Sequence, residues 1–88
     1  MQIEIRIEDS FTLKDKRRVL KSLIERTKRN FNVSIAEVDN NEIVNFATLG
    51  LSAVSNSTRF IDEVFDKILG YLENNFNIEI IKAKRELI

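Results

Sequence analysis

The first residues of the chain alternate between apolar and polar side chains. Ile3, Ile5 and Ile7 fall on one side of an extended chain, and the charged residues between them fall on the other. A period of two with one apolar side is typical of a β-strand that buries a single face. The pattern therefore predicts a strand at the start of the chain, followed by a break at residues 9–12.

After this break the pattern changes to helical spacing, which predicts a helix over residues 13–30. Thr12 with Asp15 three residues later resembles a capping box in which Asp replaces the usual Glu or Gln. The side chains expected to face the core recur every three or four residues; they are Leu13, Leu20, Leu23, Ile24, Thr27 and Phe31. Basic residues occupy a different side of the same helix.

The middle of the chain predicts two strands joined by a turn. Residues 33–38 are rich in β-branched side chains, and their alternation slips near Ala36 and Glu37, where we expect a bulge. A turn at residues 39–41 leads to a third strand over residues 43–55. The small residues of that strand are typical of the middle of a sheet.

The last part of the chain predicts a second helix and a fourth strand. Candidate N-caps at residues 55–58 begin a helix that runs to about Asn74. We expect Phe76 to fold back on the core and residues 78–85 to form an edge strand. The predicted apolar side of the helix consists of Phe60, Ile61, Val64, Phe65, Ile68, Tyr71 and Leu72.

This order of elements predicts an α+β fold for residues 1–88 as one domain. Strand, helix, strand, strand, helix, strand is the order of a ferredoxin-like split-βαβ sandwich (βαββαβ). Right-handed crossovers place both helices on one face of a four-stranded antiparallel sheet, with strands one and three in the centre. The other face stays open, and we expect a second copy of the chain to cover it in a homodimer.

Composition narrows the chemistry that the chain can perform. It has no His and no Cys, which excludes imidazole and thiol catalysis and the usual zinc sites. We therefore expect no enzyme, no cofactor and no small-molecule substrate. Glu37, Asp39 and Glu42 could hold Mg²⁺, and a solvated turn is the alternative. The charged start and the lack of a long apolar run predict a cytoplasmic protein without membrane contact.

Charge is distributed unevenly although 14 Lys and Arg balance 14 Asp and Glu. Residues 12–31 carry eight basic and two acidic side chains, whereas residues 35–80 carry two basic and eight acidic ones. Such segregation creates a positive pole that attracts an RNA backbone or an acidic protein. The alternative is a basic helix face that water simply solvates.

Several segments closely resemble the YlxP-like proteins, bacterial domains of unknown function. The resemblance rests on residues 12–23 (TLKDKRRVLKSL), 31–39 (FNVSIAEVD), 47–50 (ATLG) and 54–56 (VSN), and it covers nearly the whole chain. It implies a ferredoxin-like fold and genes that lie near those for translation initiation and ribosome maturation. It implies no catalytic residues. The chain departs from the family pattern at Asn40 and Val44, where relatives often carry His and Trp.

The leading functional hypothesis is binding of RNA or of a ribosomal subunit by the first helix. We expect no aromatic side chain on the open faces of the two central strands, so recognition should involve backbone and shape rather than bases. Lys16 lies toward the apolar side of the helix, where its stem can follow the edge of the core. The candidate residues are Lys14, Lys16, Arg17, Arg18, Lys21 and Lys28. A homodimeric interaction module without a nucleic-acid role is the alternative.

Overall fold

A computed structural model describes residues 1–86 of the chain. Its elements are β1 (Gln2–Ile7), α1 (Leu13–Asn30), β2 (Ser34–Asp39), β3 (Phe46–Ser52), α2 (Thr58–Asn75) and β4 (Ile78–Lys84). The strands form one sheet in the order β2-β3-β1-β4, and each neighbouring pair is antiparallel. The predicted ferredoxin-like fold is confirmed, with β1 and β3 in the centre.

The core lies between the inward face of the central strands and the two helices. Ile3, Ile5 and Ile7 are all buried, as the alternation of β1 predicts. The remaining buried apolar residues come from β2, β3 and both helices; they are Ile35, Ala47, Leu49, Leu51, Leu20, Leu23, Phe65, Ile68 and Leu72. Each fully buried Ile or Leu contributes about 1.5–3 kcal/mol to the stability of the fold.

Both helices begin at a hydroxyl side chain. The Thr12 Oγ1 accepts a hydrogen bond from the Asp15 backbone N–H at 3.0 Å, and the Asp15 carboxylate accepts one from the Phe11 N–H at 3.1 Å. The predicted capping box is thus present in a variant form, in which the carboxylate binds the residue before the cap. At α2 the Ser57 Oγ accepts from the Phe60 N–H at 3.2 Å.

The third strand is shorter than the sequence pattern predicts. It begins at Phe46 rather than at residue 43, because the preceding residues belong to a turn held against the β1 end, and it ends at Ser52 rather than at residue 55. The Ile7 N–H donates to the Asn45 carbonyl at 2.8 Å, and the Ser10 hydroxyl donates to the Val44 carbonyl at 2.5 Å. The irregularity in β2 lies between Glu37 and Asp39, slightly after the predicted bulge.

The contacts between the helices lie in their C-terminal halves. The Tyr71 ring packs edge to face against Phe31 and Phe76, with centroid distances of 5.4 and 6.0 Å. Its hydroxyl accepts a hydrogen bond from the Asn30 amide at 3.2 Å, which confirms Tyr71 as a residue at the rim of the core. Phe60 was predicted to face the core but is 56% exposed, since it lies in the first turn of α2.

Candidate nucleic-acid interface

Five of the six predicted basic residues lie at the surface of α1. Lys14, Arg17, Arg18, Lys21 and Lys28 are exposed, and we call these five residues the basic face. Within residues 1–86 none of the five comes within 4.0 Å of a carboxylate. Their charges are therefore free to meet a ligand.

The positions of the residues along α1 place the basic face and the buried residues on different sides of the helix. Each member of the basic face has another member three, four or seven positions away, which keeps them on neighbouring parts of the helix surface. Leu20, Leu23 and Thr27 point the other way and are buried. The Thr27 hydroxyl donates to the Leu23 carbonyl at 2.7 Å, so its burial leaves no polar group unpaired.

Lys16 is not part of the basic face, and its assignment as a nucleic-acid contact is wrong. The residue is only 1% exposed. Its Nζ donates hydrogen bonds to the Asn40 and Ile43 carbonyls, both at 2.7 Å, and lies 2.8 Å from the Glu37 Oε2. The geometry at that oxygen falls outside that of a hydrogen bond, so this last contact is an ion pair alone.

This buried ammonium joins α1 to the turn between β2 and β3. The turn includes Asn40, whose backbone has a positive φ of 62°. The Asn40 amide donates to the Thr48 hydroxyl at 2.7 Å, while its carbonyl accepts from Lys16. The turn that the sequence shows only as a polar cluster is thus anchored from both sides.

The same ion pair bears on the possible magnesium site. Glu37 faces Lys16 instead of the other acidic residues of the turn. Over residues 1–86 the structure brings together no three acidic, His or Cys side chains that could hold a metal ion. The arrangement around Glu37 therefore supports a structural role for this carboxylate.

The charges at the ends of α1 complement its helix dipole. Asp15 lies in the first turn, and the hydrogen bond from the Phe11 N–H lowers the pKa of its carboxyl below the usual value. Lys28 and Arg29 lie in the last turn, where cations are favoured. Glu25 is also exposed and lies between Lys21 and Lys28, so one anion interrupts the basic face.

The open sheet face differs from the prediction in one respect. It carries the polar residues expected on the central strands, and Arg6 pairs there with Glu79 at 3.1 Å. Phe46, however, lies at the start of β3 opposite Arg6 and is half-buried on that face. The expectation of no aromatic side chain on this face was wrong, because the alternation of β3 places Phe46 on the same side as Thr48. One aromatic ring at the end of one strand is still less than the stacking platform that base-reading sheets use.

A second feature missed by the sequence lies beside the basic face. The Arg26 guanidinium lies over the Phe76 ring, with its carbon 4.6 Å from the ring centroid. The two side chains line a groove between α1 and the α2–β4 turn, which Arg18 of the basic face also lines. Only the tertiary structure brings these residues together, because they are 50 positions apart in the chain.

The fold and this surface define a small ferredoxin-like α+β domain with one basic helix. The chain belongs to the family described as a protein of unknown function, DUF503, whose model matches residues 1–85. It is 32% identical over 78 residues to the uncharacterized protein YlxP of Bacillus subtilis (strain 168), covering 89% of this chain and 85% of that relative. Within residues 1–86 neither helix is long and apolar enough to cross a lipid bilayer.

Proposed function

We propose that the protein is a non-enzymatic binding domain that contacts the backbone of RNA through the basic face of α1. The observation that carries this proposal is the exposure of five cations without a carboxylate partner among residues 1–86. Opposite charges at i,i+4 spacing on a helix surface can pair, as Arg59 and Glu63 of α2 do at 3.3 Å. Lys21 has Glu25 at the same spacing and does not pair with it within 4.0 Å.

The length of the basic face suits an extended phosphate backbone. Lys14 and Lys28 are 14 helical positions apart, which corresponds to about 21 Å along the axis. That distance spans several consecutive phosphates of a nucleic-acid strand. Because contacts to phosphates carry little sequence information, we expect binding through the helix alone to show weak sequence preference. The genomic setting implied by the YlxP-like resemblance also favours RNA as the ligand.

The salt dependence of RNA binding tests this proposal directly. If each residue of the basic face neutralises one phosphate, the slope of log affinity against log salt is about −3.5 for single strands and −4.5 for duplexes. Raising salt from 50 to 200 mM then reduces the affinity by about a hundredfold or more. Fluorescence anisotropy with labelled RNA measures the slope. A slope near zero contradicts the proposal.

A pair of matched double variants locates the contact on α1. Arg17→Ala with Lys21→Ala removes two cations from the basic face and should reduce the steepness of the salt slope by about two. Arg59→Ala with Lys67→Ala removes two exposed cations from α2 and should leave the slope unchanged. Equal losses in both double variants would show that net charge, and not the basic face, controls binding.

We propose as a second candidate function a homodimer formed through the open sheet face. Val38 favours it, because this residue is 50% exposed and its Cγ1 lies over Gly50 on that face. Light scattering across a range of protein concentrations measures the oligomeric state. Val38→Lys should dissociate such a dimer, whereas Val54→Lys, at an exposed site outside the strands, should not. A monomer at all concentrations excludes this candidate.

A further inference from the structure

A groove of about 320 Å³ lies next to the basic face, where α1 meets the turn between α2 and β4. Its apolar part consists of the half-buried side chains of Val19 and Phe76, and Arg26 lies over the Phe76 ring. Arg18, Ser22 and Asn77 contribute polar groups to the walls. This volume is at the lower end of the range for small-ligand pockets.

The side chains of the groove are of the kind that bind unstacked nucleobases. Bases stack on aromatic rings and on the planes of Arg guanidinium groups, and their edges form hydrogen bonds with polar side chains. The Arg26 guanidinium, which itself stacks on the Phe76 ring, supplies the stacking surface through its outer plane. Glu8 also lines the groove, and its carboxylate repels a phosphate but accepts hydrogen bonds from the N–H groups of a base edge.

Hydrogen bonds and ring packing among the lining residues and their neighbours hold the walls of the groove in place. Tyr71 packs edge to face against Phe76, and the Tyr71 carbonyl accepts a hydrogen bond from the Asn75 amide at 2.8 Å. The Asn77 amide donates to the Asp9 carboxylate at 3.2 Å, and the Asn77 carbonyl accepts from the Glu8 N–H at 3.1 Å. A site whose walls are already ordered loses less entropy when a ligand binds.

Arg18 connects this groove with the basic face, because it belongs to both. A strand whose phosphates follow α1 therefore passes the mouth of the groove. We propose that the groove receives one unstacked nucleobase of a single-stranded RNA, which stacks on the Arg26 guanidinium that Phe76 supports, while the neighbouring phosphates contact the basic face. The phosphate part of this proposal rests on the proposed function. The substrate class is thus single-stranded rather than duplex RNA.

Fluorescence of a short single-stranded RNA that contains 2-aminopurine tests base insertion. We expect the fluorescence to change as the protein saturates the RNA, since the probe leaves its stack with neighbouring bases. Phe76→Leu and Arg26→Gln should each abolish most of this change while keeping a steep salt slope. Tyr71→Phe, which removes only the hydroxyl bonded to Asn30, should retain the change. An unchanged signal at saturation, or a full signal in Phe76→Leu and Arg26→Gln, overturns the proposal.

A mononucleotide separates failure of the groove from failure of the basic face. In NMR titrations, guanosine monophosphate should shift the side-chain amide signals of Asn75 and Asn77, and ribose 5-phosphate, which lacks a base, should not. The shifts should persist in Arg17→Ala with Lys21→Ala. If the shifts depend on the base but RNA binding does not depend on salt, the role of the basic face is refuted and the role of the groove is retained. Salt-dependent binding without such shifts would refute the groove. Thermal unfolding shows whether Phe76→Leu is folded, and Arg26→Gln leaves the ring intact.

Discussion

The two helices have equal lengths and equivalent places in the fold, yet they carry opposite charge. Each has 18 residues, starts at a hydroxyl N-cap and buries one side against the sheet. Helix α1 contains eight basic and two acidic residues, whereas α2 contains two basic and four acidic ones. Folding requires the cap and the apolar side, which both helices have. The excess of cations on α1 is not required by the fold, and this makes it informative about function.

The helices also differ in how their charges are used. Three of the four acids of α2 form ion pairs within residues 1–86. Arg85 pairs with Asp62 at 3.2 Å and with Asp66, and Arg59 pairs with Glu63 at 3.3 Å. Hydrogen bonding to Asp66 raises the pKa of Arg85 above its usual value. On α1 the only cation that forms an ion pair within residues 1–86 is the buried Lys16. The exposed cations of α1 have no carboxylate within 4.0 Å among residues 1–86.

The largest expected difference between the helices concerns a buried lysine of α1, Lys16, and an exposed lysine of α2, Lys67. Lys16→Met leaves Glu37 without its cation and two turn carbonyls without their donor, and should lower the free energy of unfolding by about 3 kcal/mol. Lys67→Met on α2 removes an exposed lysine and should change it by no more than about 0.5 kcal/mol. Urea denaturation measures both. Similar small effects would show that the Lys16 contacts do not stabilise the turn.

The chain has only two glycines, and substitution by alanine should affect them in opposite directions. Gly70 lies in α2, and an added Cβ meets no atom within 4 Å, so Gly70→Ala should stabilise the protein by about 1 kcal/mol. At Gly50 in β3 an added Cβ would lie 2.9 Å from the Val38 Cγ1, and Gly50→Ala should destabilise by about 1–3 kcal/mol. Thermal unfolding compares them, and a loss of stability in Gly70→Ala would indicate a constraint on α2 that its helical position does not explain.

The N-termini of the helices should differ in their response to acid. The folded pKa of Asp15 is lowered, so its contribution to stability is present above its unfolded pKa of about 3.9 and disappears as the pH falls through the folded value. Asp15→Asn should therefore reduce stability at neutral pH and flatten its decline in acid. Ser57→Ala at α2 removes an uncharged cap and should cost about 1 kcal/mol at all these pH values. Denaturation as a function of pH checks both, and parallel curves for wild type and Asp15→Asn would contradict this assignment.

The smallest expected effect concerns the anion within the basic face. Glu25→Gln removes its repulsion of a phosphate and should increase RNA affinity by about 1.5- to 5-fold, which corresponds to roughly 0.2–1 kcal/mol for an exposed charge. Glu73→Gln makes the same chemical change on α2 and should leave the affinity as it is. Anisotropy titrations at low salt are the measurement. An equal gain from both variants would indicate a long-range effect of net charge.

Local features explain why so much of the fold was predictable. The bounds of α1 follow from helical periodicity and from the capping residue, and the choice of β1 side chains that face the core follows from alternation. Each of these signals involves residues no more than four positions apart. The predicted start of β3 was wrong because the Val44 and Asn45 carbonyls accept hydrogen bonds from Ser10 and Ile7, which lie more than 30 residues away near the end of β1. The prediction that Phe60 faces the core was wrong, because periodicity alone does not show that the first turn of α2 leaves this side chain 56% exposed.

The sequence by itself determined the order of elements, the side of each helix that faces the sheet and the concentration of cations on α1. These properties depend on spacing along the chain and on composition. The tertiary structure decided which cations reach the surface, because the partners of Lys16 lie 21 to 27 residues away and remove it from the basic face. It also decided the groove, since only folding places Phe76 under Arg26. Contacts between distant parts of the chain depend on packing, which a pattern of near neighbours does not encode.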